Sequence, residues 1–376
     1  MFESNKIEPY RPLFILGFIS AILGVVLWLF FTWGWIHFYP RLAHSQLMIF
    51  GFFAAIITGF LMTAVPRMTG TEDANDLEVF VPLLLIVTQW VLALRQMQAA
   101  ASVVYLFQII FLVVYIGKRF TKRDHRPPAG FVFMPFAFVF AISGILIDLF
   151  QIQIGSVALS VTKPMIFLSG QVFLYNLILG LGSRLVPTLC RLPNAINPDV
   201  RYKDDFLKLT LFALFFNASF VIQFLGYEFI ALTLRSLLML FYSILVFKIQ
   251  ERPIQRTHLG FGIRLAVLFM FLSDLLPLFF SLPVLYFQHL LYIGGFTLIT
   301  LMVAVRVTLA HSGQSLDVEK TSKTIIAVQF LLGSAVVFRV MYMFQLNFSV
   351  LVTSAMMFLF AFVLWLRKFL RYLVGR

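Results

Sequence analysis

Two histidines, His44 and His289, each stand at the start of a long apolar segment. Neutral imidazole nitrogen is a good ligand for iron, copper and zinc. Two such ligands on different helices can hold a haem between them, and the axial ligands then set its redox character. Gly51 follows His44 by seven residues, nearly on the same helical face, where a flat macrocycle would find room against the backbone. The alternative is that the histidines are interfacial or hydrogen-bonded residues and that the glycine serves helix packing.

Charged residues inside other apolar segments form a second group of candidates. Asp274 stands well within one segment, and Arg235 and Arg339 stand within two others. Charges inside a membrane are costly, so they invite a functional interpretation. Either arginine could pair with an acid or with the propionate of a porphyrin, and we expect Arg339 to meet a propionate. Hydrogen bonds that merely link helices are the alternative for all three.

The elements that must position these residues are transmembrane helices. The chain has 376 residues, of which 61% are hydrophobic and 12% charged, whereas soluble domains are about 25% charged. Apolar runs of about 20 residues can cross a hydrocarbon core of about 30 Å. The composition therefore predicts an all-α, polytopic membrane protein whose residues 1–376 form a single integral membrane domain. Twelve runs qualify: 12–35, 43–66, 79–95, 98–118, 129–150, 164–187, 206–225, 229–249, 262–282, 284–309, 323–342 and 346–367.

The placement of the basic residues predicts the orientation. If the N-terminus is cytoplasmic, most of the 29 Lys and Arg residues fall on the cytoplasmic side. Only Arg41, Arg95 and Lys163 then lie in outer loops, as the positive-inside rule requires. With twelve spans, both termini are cytoplasmic. The net charge of +13 is thus an orientation signal, and we expect a lipid bilayer and no nucleic acid as the partner.

Familiar catalytic motifs are missing from the sequence. It contains no Walker-type phosphate loop, no HExxH zinc site and no GxSxG nucleophile elbow, which argues against a hydrolase or an ATPase. It also lacks the CxxCH attachment motif, so any haem would be held non-covalently. The single cysteine, Cys190, allows neither an intramolecular disulfide nor a metal cage made of cysteines alone.

Spans two, six and ten resemble one another at their ends. The segments TAVPRMTG (63–70), GLGSRLVP (180–187) and AVRVTLAHSG (304–313) each place an arginine near the predicted cytoplasmic end of the helix. A spacing of four helices suits a threefold arrangement of four-helix units, and the sequence predicts one.

Four blocks of the sequence, in order, resemble the NnrS family of bacterial inner-membrane proteins. The block around His44 carries the strongest likeness, with its histidine-containing start, its glycine-spaced helix and its TAVP-x-x-TG exit. The other three are the Arg-Pro-aromatic start of span one, the helix end before the central cytoplasmic loop, and a block with a histidine at its start, an arginine near its end and a closing His-x-Gly. The blocks are YRPLF (10–14), AHSQLMIFGFFAAIITGFLMTAVPRMTG (43–70), YNLILGLGSRLVP (175–187) and HLLYIGGFTLITLMVAVRVTLAHSG (289–313).

The resemblance implies a haem- and copper-containing protein of the response to nitric oxide and nitrosative stress, with no securely known reaction. It makes His44 and His289 the leading metal ligands, for a b-type haem near the outer leaflet, and Arg306 and His311 positions of interest. His311 lies at the far end of span ten. It cannot bind the same iron as His289, because 22 helical residues at about 1.5 Å each separate them.

One departure from the family pattern bears on copper. The family's second span usually starts with His-x-His-Glu, whereas this chain has His44, Ser45, Gln46 and Leu47. Gln46, an amide, stands in place of the second histidine, and Leu47, an alkyl side chain, stands in place of the glutamate. Copper prefers imidazole or sulfur ligands. We therefore expect this chain to bind haem, whereas the loss of these two side chains argues against copper binding.

Two other functional classes remain open from the sequence. A secondary transporter of a small solute, without a cofactor, would need a site at the membrane midplane built from broken helices and charges. Asp274 with Pro277 is the conspicuous candidate for such a site. The second class is a membrane-embedded scaffold that holds no cofactor.

Overall fold

A computed structural model describes residues 7–154, 165–193, 202–280 and 287–375, and over these residues the chain is helical with no strand. Lys163, which the sequence places in an outer loop, lies outside the described residues. Within these described ranges, twelve helices are long and apolar enough to cross a membrane. They are α1 (Tyr10–Thr32), α2 (Arg41–Thr69), α3 (Asp76–Leu94), α4 (Gln98–Thr121), α5 (Ala129–Phe150), α6 (Met165–Leu189), α7 (Lys203–Phe224), α8 (Glu228–Leu245), α9 (His258–Leu278), α10 (Leu290–His311), α11 (Lys323–Tyr342) and α12 (Phe348–Leu373).

The all-α fold and the twelve spans are confirmed. Some helices end at other residues than predicted, and at the end of α2 the cause is a helix cap. The predicted run 43–66 stops at a proline, but α2 continues to Thr69. It ends at Gly70, whose φ of 69° is a left-handed conformation that glycine adopts without strain. The Thr71 amide then donates to the Pro66 carbonyl oxygen, 3.0 Å away. Thr69 and Gly70, the last two residues of the TAVPRMTG segment, therefore form the C-terminal cap of α2. The side of the membrane on which the termini lie stays a prediction.

Spans α2, α6 and α10 share an unusual start. Each contains a π-helical segment in its first turns, over Leu47–Phe53, Met165–Val172 and Leu290–Thr297. The same three helices are the most buried of the twelve spans. Single turns of π-helix are rare and recur at functional sites. The likeness that the sequence shows at the ends of these spans thus extends to their starts, while the threefold arrangement itself stays a prediction.

Two compact units make up the chain. The first consists of Met1–Pro128, Phe138–Gln171 and Phe369–Arg376, and the second of Ala129–Ala137 and Val172–Lys368. In the first unit, α1 packs along α2 and α3 pairs with α4. In the second, α7 pairs with α8, and α9 packs against the π-helical start of α10. His44 belongs to the first unit and His289 to the second.

Candidate functional site

His44 lies in the first turns of α2 and is hydrogen-bonded to α1. Its Nδ1 lies 2.9 Å from the carbonyl oxygen of Gly24, and its ring is edge-on to Trp28 with centroids 6.0 Å apart. A carbonyl oxygen only accepts, so Nδ1 carries a proton, and in the neutral ring the lone pair is then on Nε2. A backbone carbonyl that fixes the tautomer in this way is the usual partner of a metal-ligating histidine. For the neutral ring, this bond therefore selects one tautomer and one orientation of the side chain.

Small residues on α1 allow this close approach. Gly17, Ser20 and Gly24 recur on one face of the helix, a pattern that permits tight packing in membranes. A Cβ at Gly24 would lie 3.2 Å from the sulfur of Met48, and one at Gly17 would lie 2.9 Å from Ile56. Our sequence analysis missed Gly24, although the small-residue spacing on α1 was the available signal.

Gly51 lies in the π-helical start of α2 and faces α1 and α3. A Cβ at this position would be 1.8 Å from the Ser20 hydroxyl oxygen and 3.1 Å from the indole nitrogen of Trp90. Ser20 in turn donates to the Leu47 carbonyl oxygen at 2.7 Å. Atoms of α1 and α3 therefore occupy the direction in which a Cβ at Gly51 would point. Helix packing, the alternative left open by the sequence, fits these contacts, and a place for this glycine beside a macrocycle stays a prediction.

The two residues that break the family pattern have structural roles. The Gln46 side chain is buried and donates from Nε2 to the Gln98 carbonyl oxygen of α4, 3.0 Å away. Leu47 lies in an apolar cluster with Leu27, Ala43 and Ala93. Among the described residues, no three His, Cys, Asp or Glu side chains come together as a metal site. Gln46 and Leu47 therefore serve hydrogen bonding and packing, and the expectation about copper stays a prediction.

His289 immediately precedes the π-helical start of α10 and is half-buried. The two glycines of that segment pack against α9. A Cβ at Gly294 would lie 2.6 Å from the ring of Phe269, and one at Gly295 would lie 2.7 Å from Met270. His289 therefore stands on a helix start that is fixed by close backbone packing, as His44 does in the other unit.

Asp274 and Arg235 form a buried ion pair between α9 and α8. The arginine Nε donates to Oδ1 of Asp274 at 2.8 Å, and the two side chains are 0% and 2% exposed. The Tyr175 hydroxyl donates to Oδ2 at 2.7 Å, and Nη2 of Arg235 donates to the Gln223 amide oxygen at 2.8 Å. The guanidinium also lies 4.3 Å from the centroid of the Phe220 ring.

This network links four helices of the second unit. Tyr175 belongs to α6 and Gln223 to α7, so the ion pair and its two polar partners join α6, α7, α8 and α9. The Tyr175 ring also meets Phe296 of α10, with centroids 5.1 Å apart. Of the alternatives for Asp274, pairing with Arg235 is the one that the structure shows. Our sequence analysis missed Tyr175 and Gln223 as its partners.

Arg339 is half-buried on α11, and its guanidinium lies 5.2 Å from the ring centroid of Tyr342 on the same helix. Such a cation–π contact holds the charged group against an apolar surface. A role in holding a propionate stays a prediction.

Arg306, near the end of α10, is bound by a buried acid that the sequence analysis missed. Its Nε and Nη2 both donate to the Glu319 carboxylate, and the second bond measures 2.7 Å. Arg191 reaches the same carboxylate from the end of α6, with Nη2 3.4 Å from Oε2. Glu319 is fully buried, while Arg306 is 19% exposed. His311, the last residue of α10, is half-buried. The cluster links α6 and α10 to the connection after α10.

Replacing Glu319 with glutamine tests this cluster. The variant keeps hydrogen-bonding capacity but loses the charge that faces two arginines, so we expect a loss of about 1–1.5 kcal/mol in the free energy of unfolding. Unfolding in mixed detergent micelles measures it. Glu72→Gln is the matched control: this acid lies in an exposed loop position, and we expect a change of less than about 0.5 kcal/mol. Equal losses in both variants would contradict a specific role for the buried acid.

Cys190 follows α6 and is buried, where its thiol donates to the Gly260 carbonyl oxygen at 3.5 Å. Burial raises the pKa of the thiol, and nearby Arg264 offsets part of this shift. Because the thiolate is the reactive form, Cys190 is a packing residue and a poor nucleophile.

Taken together, twelve apolar helices, buried polar networks between them and histidines at two helix starts define a polytopic helical membrane protein. The family model described as NnrS protein matches residues 7–376. The chain therefore belongs to the NnrS family, as the four sequence blocks indicate. No curated protein matches it.

Proposed function

We propose that this protein binds a non-covalent b-type haem through His44 and His289, near the outer leaflet of the bacterial inner membrane, and acts in the response to nitric oxide and nitrosative stress. The observation that carries the proposal is the bond from Nδ1 of His44 to the Gly24 carbonyl oxygen. In the neutral ring that bond selects the tautomer with the lone pair on Nε2, the nitrogen that would hold the iron.

Three further observations support haem. His44 and His289 occupy matching positions, each just before or within three residues of a π-helical segment at the head of its span. Both side chains are half-buried. The family membership brings with it the expectation of haem and of nitric oxide chemistry. When bound, the haem would supply a redox-active iron, and a small gaseous ligand such as nitric oxide would bind it only in exchange for one of the two histidines.

The residues of this chain would bind and orient that group. The Gly24 carbonyl oxygen would hold the His44 ring in one tautomer and one orientation. The apolar surroundings of the two helix starts would limit access of water and so tune the redox potential. Copper is not part of the proposal, because Gln46 and Leu47 replace the donor residues and are engaged in packing.

Visible spectra of the purified protein test the proposal. We expect a Soret band that responds to reduction in the wild type. His44→Ala and His289→Ala should each remove most of its absorbance per protein, since loss of a ligand should weaken haem affinity by more than the about 10–100-fold that an outer partner of a metal ligand is worth. His37→Ala and His125→Ala are matched controls, because both histidines are exposed loop residues, and they should keep the wild-type spectrum.

Two other results would contradict the haem proposal or its assignment of ligands. A colourless wild-type preparation, after expression with sufficient haem, would overturn the haem proposal and favour a transporter without a cofactor. Equal haem content in the wild type and both helix-start variants would retain haem but exclude these two ligands.

A further inference from the structure

A groove of about 510 Å³ runs between α7 and α8 on the surface of the second unit. Leu207, Leu211 and Phe215 line it from one face of α7, four residues apart, and Phe241 and Leu245 line it from α8. All five side chains are exposed, with Leu207 at 62% and Phe215 at 56%. On transmembrane helices an exposed apolar surface faces lipid, so an acyl chain is the natural occupant of this groove.

The groove carries charge at one end. Asp204 and Lys208 stand one helical turn apart near the start of α7 and belong to the lining. Nζ of Lys208 donates to the Leu245 carbonyl oxygen at 3.3 Å, which places the ammonium group at the end of α8. A lysine ammonium has three donors, and this bond uses one of them. The apolar lining then continues toward Phe215, about 16 Å along α7 from Asp204 at about 1.5 Å per residue.

We propose that this groove is a binding site for one phospholipid with a phosphoethanolamine headgroup. One acyl chain would lie along Leu211 and Phe215, the phosphate would accept from Lys208, and the primary ammonium would donate to Asp204. The opposite charges of the two side chains match the opposite charges of this headgroup. The site is independent of the proposed haem function.

Charge complementarity distinguishes this headgroup from its common alternatives. A phosphocholine headgroup has the same net charge but no N–H group, so it cannot donate a hydrogen bond to Asp204. A phosphoglycerol headgroup has no cation at all and would place a negative charge beside the same carboxylate. The pair of Lys208 and Asp204 therefore selects a lipid that carries both a phosphate and a hydrogen-bond-donating ammonium.

Native mass spectrometry of the delipidated full chain measures the preference. The protein in detergent receives an equimolar mixture of phosphatidylethanolamine, phosphatidylcholine and phosphatidylglycerol with identical acyl chains. We expect the first lipid to predominate in the singly bound state. Asp204→Asn should reduce its preference over phosphatidylcholine on the order of tenfold, the value of one charge-assisted hydrogen bond. Leu211→Trp should fill the groove and lower the occupancy of all three lipids.

Lys368→Gln is the matched control, because this lysine lies near the end of α12 and outside the groove. It should leave both occupancy and preference unchanged. Each variant is compared only after its thermal unfolding midpoint matches that of the wild type, and Leu207→Trp replaces Leu211→Trp if the latter fails this check.

Three results would overturn the proposal. Equal binding of the three lipids would show ordinary bilayer contact, and a preference for phosphatidylglycerol would show attraction by net positive charge alone. A particle of twice the monomer mass that dissociates in Leu211→Trp would show that a second copy of the chain covers the groove.

Discussion

Asp274→Ala is expected to lower the free energy of unfolding by about 3–5 kcal/mol, the usual loss when one partner of a buried ion pair is removed. The reason is the position of Arg235, which is 0% exposed on a transmembrane helix. Without the carboxylate, Nε loses its acceptor and the buried guanidinium keeps a charge that no acid compensates. Unfolding in mixed detergent micelles, followed by tryptophan fluorescence, measures the loss.

The paired variant separates the charge effect from the packing effect. Arg235→Leu combined with Asp274→Leu removes both charges and keeps apolar volume, so it should recover most of the stability lost in Asp274→Ala. Asp274→Asn keeps the shape of the side chain and should fall between the two. Glu72→Ala removes an acid from an exposed loop position and should change stability by less than about 0.5 kcal/mol. If the double variant were no more stable than Asp274→Ala, the uncompensated arginine would not be the cause.

The same network shows what the sequence could and could not predict. Run length and composition predict the twelve spans, because crossing a hydrocarbon core demands a minimum apolar length whatever the neighbours are. The rarity of charges within spans likewise identifies Asp274 and Arg235 as candidates for each other. Tyr175 and Gln223 escaped prediction because many spans carry a tyrosine or an amide, and only the packing decides which of these meets the ion pair.

The candidate site was predictable to a smaller extent. Position in the chain identifies His44 and His289, but the bond to Gly24 depends on how closely α1 approaches α2. A helix that is apolar on every side gives no sequence signal for the face it presents to a neighbour. The π-helical starts of α2, α6 and α10 escaped prediction because the extra residue per turn depends on the surrounding helices more than on local composition.

Gly51→Ala is expected to lower the free energy of unfolding by up to about 3 kcal/mol, the upper range for overpacking a tight interface. The added methyl group would lie 1.8 Å from the Ser20 hydroxyl oxygen. That hydroxyl cannot turn away without losing its bond to the Leu47 carbonyl oxygen, so α1 and α2 must separate. Unfolding in mixed micelles again provides the measurement.

Two further variants test this cause. Ser20→Gly removes both atoms that the new Cβ would meet on α1, so the Ser20→Gly, Gly51→Ala double variant should recover part of the lost stability. Gly117→Ala is the matched control: the position lies within α4 and a Cβ there meets nothing within 4 Å. It should be neutral or stabilising by up to about 1 kcal/mol, because alanine favours a helix over glycine.

The haem content of the same variants distinguishes the two roles considered for Gly51. If α1 packing requires the glycine, haem content should follow stability, falling in Gly51→Ala and recovering with Ser20→Gly. If a macrocycle lay against Gly51, the methyl group would lower haem content in both the single and the double variant, whatever their stability. The 1.8 Å distance to Ser20 favours the first outcome, since the side of α2 that Gly51 presents to α1 is already filled by protein.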